Sequence, residues 1–259
     1  MYKIFFLIIF LFIYPINLFA NIIEVELYHD ESYPPYAYVN ENNESSDIYV
    51  DLLKIVDEKL EDYTFKFVPI SWSEGIKKLE SGEILALFPP YFRPDERPWV
   101  DYSIFLMEEG LVAVINRNFT ELPIEPWPQS FKNKTIGVNK GFNFPVIREF
   151  QDRNIYEVVD VIDNLDGVRK LRDGVIDVYV NDILAILFTE WQMRARNEEL
   201  PHSRIVMVLA KEMAFLAISK NNDSEYVDDL ISKLSQILFD MRFDGKIDDV
   251  TIDYFLNNR

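Results

Sequence analysis

Short β-rich runs and amphipathic helical stretches alternate along this chain, and that alternation constrains its fold more than any other feature. "IIEVELY" (Ile22–Tyr28) is a run of branched and aromatic residues suited to a strand. In "DIYVDLLKIVDEKLED", Ile48, Leu52, Ile55, Val56 and Leu60 share one helical face. "TFKFVPI" alternates as a strand. "SWSEGIKKLESG" reads as a helix, with Ser71 or Ser73 near its cap and Gly82 past its end. "EILALF" is again a strand. Repeated βαβ units of this kind predict an α/β fold with largely parallel sheets flanked by helices.

The pattern breaks once. The clean strand "LVAVIN" (Leu111–Asn116) is followed by "RNFTELPIEPWPQSFKN", which holds three prolines and no periodicity and marks a lobe boundary. A second βαβ series starts at "KTIGVNKG". It continues through a helix near Phe144–Asp152, the strand "YEVVDV", the helix "DNLDGVRKLRDG", the strand "VIDVYV" and the helix "DILAILFTEWQMRA". Strands "RIVMVLA" and "AFLAISK" come next. The final long helix carries Val227, Leu230, Ile231, Leu234, Ile237, Leu238 and Met241 in one stripe, and Gly245 ends it. The amphipathic piece "IDDVTIDYFLNN" closes the chain. The expected division is a first lobe over residues 21–111, a second over 112–212, and a return of 213–259 to the first. Two strands would then form the hinge.

Residues 1–20, "MYKIFFLIIFLFIYPINLFA", read as a secretory signal peptide: Lys3, an apolar run from Phe5 to Tyr14, then Pro15, and Ala20 for cleavage. The run is too short to span a bilayer comfortably. Cleavage leaves 239 residues (259 less 20) with a net charge of −19 (25 basic less 44 acidic). Such a chain repels nucleic acid and anionic lipid surfaces. It has no cysteine, which excludes disulfides, thiolate metal sites and a lipid-modified N-terminal Cys. A soluble periplasmic export, monomeric and without cofactor, is the expectation.

The catalytic inventory is thin. His29 and His202 lack the spacing of metal ligands and read as structural histidines. No phosphate loop, dinucleotide fingerprint or nucleophile elbow occurs. The aromatics and arginines say more. "HDESYPPYAY" follows the first strand and carries Asp30 and Tyr33. Trp72 opens the helix after the next strand. "YFRPDERPWVDYS" (Tyr91–Ser103) follows "EILALF" and carries Arg93 and Arg97 between prolines. Taken alone, Trp72 fits core packing, and the arginines fit surface pairs with Asp95, Glu96 or Asp101. But each element stands at the C-terminal end of a predicted parallel strand, the edge where open α/β sheets bind ligands. Their common position favours a site.

These motifs, in this order, resemble the periplasmic solute-binding proteins of family 3, the two-lobed binding components of amino-acid ABC importers. The resemblance rests on Tyr33-Pro34-Pro35-Tyr36, on Ile48-Tyr49-Val50-Asp51-Leu52, on Trp72, and on Arg97 ahead of Tyr102-Ser103. In the second lobe it rests on "KTIGVNKG", on Gly174, Asp177 and Asp182 in "LRDGVIDVYVND", and on "MRFDGKIDDV". It covers essentially the whole mature chain. It implies that Arg97 grips a ligand carboxylate and Asp182 takes an α-ammonium. Tyr33 and Trp72 would sandwich the organic part, and Asn143 stands where the family often has a Thr or Ser. Arg93, an extra arginine beside the family pattern, and Asp30 are further ligand-binding candidates. A small solute and the membrane permease of an ABC importer are the implied partners. The chain departs from the family pattern at Phe92 and Pro94, where hydroxyl residues are usual, and at Val50, where the pattern has an aspartate. A cyclohexadienyl-dehydratase-like enzyme on the same fold, or a solute-sensing partner of a membrane receptor, are the alternatives.

Overall fold

The computed structural model describes residues 22–39, 45, 47–116, 126–142 and 144–257; the expected leader and its cleavage site lie outside them. Two five-stranded sheets carry the chain. The first runs, in spatial order, β4 (Tyr63–Ile70), β1 (Ile23–Asp30), β5 (Ala86–Phe88), β12 (Ala217–Ser219) and β6 (Val100–Tyr102). The second runs β11 (Ser203–Ala214), β7 (Met107–Asn116), β10 (Val178–Asp182), β8 (Thr135–Asn139) and β9 (Glu157–Val161). A small hairpin, β2 (Ser32–Tyr33) with β3 (Ala37–Tyr38), stands beside the end of β1. The helices are α1 (Ile48–Asp57), α2 (Trp72–Ser81), α3 (Pro145–Gln151), α4 (Asn164–Arg172), α5 (Ile183–Ala195), α6 (Val227–Phe243) and α7 (Lys246–Asn257).

The parallel heart of each sheet follows from the βαβ order. β1 pairs with β4 from Ile23↔Tyr63 to Asp30↔Ile70, and on its other side with β5. β8 lies parallel to both β9 and β10. The antiparallel joins come from strands that arrive without a crossover helix: β12 against β5 and β6, and β7 against β10 and β11. Each sheet is therefore mixed. β7 joins the second sheet at Met107, and β11 leaves it at Ala214, its ladder partner. The two crossings between sheets thus lie side by side, which is the geometry of a two-strand hinge.

Local chemistry sets the helix ends. Asp47 caps α1, accepting from the Val50 amide at 2.6 Å. Gly82 ends α2 at φ +77°; a Cβ there would lie 2.2 Å from the Asn221 carbonyl oxygen, so both conformation and space require glycine. On α6 the expected stripe is the packed face. Leu230, Leu234, Leu238 and Met241 are buried with α1 and α7 against the first sheet. The second sheet has its own cores, one around Phe131, Ile136 and Val180, the other around Val114, Leu171 and Tyr179. Among the described residues no helix is long and apolar enough to cross a membrane.

Candidate functional site

The strand ends of the first sheet build a cleft wall. β1 finishes at Asp30, the hairpin sets Tyr33 beside it, α2 begins with Trp72, and the segment after β5 supplies Tyr91, Arg93 and Arg97. The turn after β8 contributes Gly141, Phe142 and Phe144 from the second sheet. Together with Pro89 and Glu96, these residues line a cavity with an empty volume of about 580 Å³. Tyr33 and Phe142 meet across the cleft edge to face, ring centroids 5.6 Å apart.

The two arginines have different surroundings. Arg93 donates to Glu212 on β11 at 2.8 Å, both side chains being about 15% exposed. Its acid partner is thus on the crossing strand rather than at Asp95 or Glu96. Arg97 forms no ion pair among the described residues. Its guanidinium lies 6.0 Å from the Trp72 ring centroid, and one nitrogen reaches the Tyr91 carbonyl at 3.5 Å. A half-buried cation with most of its donors unspent is equipped to bind an anion in the cleft.

Asp30 is the acidic counterpart. It is 7% exposed, and its Oδ1 accepts from the Ser32 amide at 2.9 Å. Burial pushes its carboxyl up to about 6, against that hydrogen bond. Its neighbour His29 is structural, as its sequence context predicted. His29 is buried and stacked on Phe88, with Nδ1 at 2.8 Å from the Asp30 carbonyl and Nε2 at 2.7 Å from the Ser45 hydroxyl. Burial lowers its pKa, which favours the neutral ring.

Asp182, expected to take an ammonium, stands apart from the cavity lining, and its carboxylate is engaged within the protein. Oδ1 accepts from Tyr36 Oη at 2.8 Å and from the Leu184 and Ala185 amides at 2.7 and 3.0 Å. Oδ2 accepts from the Gly110 amide at 2.9 Å. Three of these four donors share Oδ1, and all four come from the protein itself. Asp182 is the N-cap of α5 and a contact between lobes. Asn143 lies outside the described residues.

Sequence reasoning missed Glu109. It is 1% exposed on β7, and three tyrosines converge on it: Tyr33 at 2.6 Å, Tyr91 at 2.7 Å, and Tyr49 on the other oxygen. Burial pushes its carboxyl up to about 8, and nearby Asp182 adds to the rise. No local pattern marks this glutamate, because its partners come from three distant segments. Tyr91, which lines the cavity and orients toward Glu109, was visible only as one ring in an aromatic loop. Among the described residues, no group of three or more acidic or histidine side chains is placed to hold a metal ion.

The model of the bacterial extracellular solute-binding proteins, family 3, matches residues 25–257. The chain belongs to that family. No curated protein sequence matches this family 3 protein, but many solved structures share its fold. An ancestral arginine-binding protein bound to arginine is 22% identical, with a TM-score of 0.70, over 90% of this chain and 98% of that one. A probable amino-acid ABC transporter extracellular-binding protein, ytmK from Bacillus subtilis, is 13% identical with a TM-score of 0.74, over 92% and 100%. An ancestral amino acid-binding protein described as a precursor of cyclohexadienyl dehydratase is 17% identical with a TM-score of 0.67, over 90% and 95%. At these identities the likeness is one of fold: a two-lobed α/β binding protein.

Proposed function

We propose that this family 3 protein is a periplasmic, non-catalytic binder of a small carboxylate-bearing solute, an amino acid or a close relative, which it delivers to the permease of an ABC importer. The observation that carries the reading is Arg97, a cation without an ion-pair partner among the described residues, under Trp72 and facing the cleft. Its fork takes the carboxylate in a bidentate, charge-assisted pair. Asp30, on the same cavity, takes a cationic group of the solute. This is a role the resemblance implied for Asp182, which does not line the cavity. Trp72, Tyr33, Tyr91 and Phe142 enclose the organic part.

Thermal-shift measurement against the proteinogenic amino acids and their deaminated analogues tests this. A bound solute raises the melting temperature by mass action, and Arg97→Ala removes the rise. A protein that no carboxylate solute stabilises, or whose Arg97→Ala variant responds as the parent does, overturns it. Cyclohexadienyl-dehydratase-like catalysis is supported by one feature, a cavity carboxyl raised to about 6 at Asp30, a value suited to proton transfer near neutrality. Release of a dehydrated product from a cyclohexadienyl carboxylate, lost in Asp30→Asn, would favour that second reading.

A further inference from the structure

Behind the cleft wall lies a buried polar cluster whose two carboxylates do not line the solute cavity, although Tyr33 and Tyr91 face both. Its centre is Glu109, two residues into β7 and beside the hinge crossing. Its acceptors are filled by tyrosines from the first lobe: Tyr33 on the hairpin, Tyr49 on α1 and Tyr91 after β5. A fourth tyrosine, Tyr36, crosses to Asp182 at 2.8 Å. The two carboxylates are adjacent, since the amide that follows Glu109, that of Gly110, donates to Asp182. Neither carboxylate forms an ion pair among the described residues. Arg93, on the segment that carries Tyr91, is paired with Glu212, the ladder partner of Glu109, and Lys211, next to it on β11, is paired with Glu108.

Every acid–tyrosine bond in this cluster joins the two lobes directly. The carboxylates stand on β7 and at the end of β10, in the second sheet, and all four hydroxyls stand on the first lobe. Parting the lobes along these bonds strips all three hydroxyls from Glu109, whereas Asp182 loses only Tyr36 and keeps the amides of Gly110, Leu184 and Ala185. Two anions cannot be desolvated side by side without a large cost, and tyrosine hydroxyls offset only part of it. One proton shared by the pair removes that cost.

We propose that the Glu109–Asp182 pair and its four tyrosines form a proton-operated latch, so that lobe closure takes up a proton and the lobes part as the pair becomes doubly ionised. The latch needs only the two-lobed architecture, not the identity of the solute, so its failure and that of the binding reading are separable. The groups facing the pair are Tyr33, Tyr36, Tyr49 and Tyr91, the amides of Gly110, Leu184 and Ala185, and the ion pairs Arg93–Glu212 and Lys211–Glu108 beside them. The amides at the start of α5 favour the ionised form of Asp182, so the retained proton resides on Glu109, which among the described residues has no such donors and no cation of its own. Burial raises the pKa of both carboxyls, which agrees in direction with a retained proton.

Small-angle X-ray scattering of the solute-free protein, from about pH 6 to about pH 10, brackets the value of about 8 for Glu109 and reads the latch directly. The parent is expected to stay compact at the acid end and to expand through the middle of the range, with its circular dichroism unchanged. Glu109→Gln removes the titration while keeping a hydrogen-bonding group of the same shape, and should stay compact throughout. Asp182→Asn, which keeps an N-cap residue on α5, should do the same if Glu109→Gln does not fold. A parent whose radius of gyration does not change with pH overturns the proposal. So does a folded Glu109→Gln or Asp182→Asn protein that expands with the parent's midpoint.

Discussion

The Arg93 guanidinium donates to the Glu212 carboxylate at 2.8 Å, and this pair ties the segment after β5 to the crossing strand β11. Arg97, four residues on, is held by the same segment but meets no acid among the described residues. One loop thus uses one arginine for structure and offers the other to the cleft.

Replacing each arginine should separate these roles. Arg97→Ala is expected to weaken solute binding by a factor of about ten to several hundred, from loss of charged hydrogen bonds worth about 1.5–3 kcal/mol each. Its urea-unfolding midpoint should hardly move. Arg93→Ala should lower stability by about 1 kcal/mol, because the pair is only partly screened by solvent, and change affinity less. Isothermal titration with the solute selected by thermal shift, together with urea unfolding, decides between them. Equal loss of affinity in both variants would contradict the assignment.

Asp30→Asn should move affinity and stability in opposite directions. Burial disfavours the charged carboxylate at Asp30, so a neutral amide is expected to leave the melting temperature unchanged or raise it at neutral pH. Affinity for a solute with a cationic group should fall about tenfold or more, since a charged hydrogen bond is worth about 1.5–3 kcal/mol. Calorimetric binding and melting curves on one preparation check both signs.

Gly167 on α4 should tolerate no side chain. A Cβ there would lie 2.5 Å from two ring atoms of Tyr179. That ring cannot swing aside: it is fully buried, its hydroxyl donates to Asn139 at 2.7 Å, and it accepts from Asn181 at 2.7 Å. Gly167→Ala should cost about 1–3 kcal/mol or more by overpacking. Urea unfolding at constant slope measures it; a loss below half a kcal/mol would show that the helix shifts freely.

Stability should fall as pH rises from about 5 to about 8. Asp30 is raised to about 6 and Glu109 to about 8, and burial also raises Asp47 and Asp182. A carboxyl whose folded pKa lies above its unfolded value contributes stability that is complete below the ordinary carboxylate range. That contribution is lost as pH climbs through the folded value. Repulsion within a chain of net charge −18 does not relax over this window, because its surface carboxylates are already ionised. Scanning calorimetry across the range should show a declining melting temperature, with the upper part of the decline absent in Glu109→Gln. A melting temperature that rises with pH would refute the burial of protonated acids.

The elements were legible in the sequence because their signals are local. The stripe from Val227 to Met241 and the Gly82 stop report a helix within one stretch of chain. Position along the sheet was nearly as legible. Asp30, Tyr33, Trp72, Arg93 and Arg97 each follow a strand end, and strand ends share one edge, so their convergence on one cavity needed only the βαβ order. What each polar group does once there is a different matter. Asp182 and Arg97 look alike in sequence, each a charge in a plausible motif. Asp182 is engaged by Tyr36, 146 residues away, and by the amides of α5 and β7, away from the cavity. Glu109 has no motif at all, and owes its surroundings to Tyr33, 76 residues distant, and to Tyr49 and Tyr91. The sequence by itself determined which segments are strands and helices and which edge they present, through periodicity and turn chemistry. The tertiary structure decided which charges are spent and which are free, because desolvation and hydrogen-bond saturation depend on neighbours that only folding brings together.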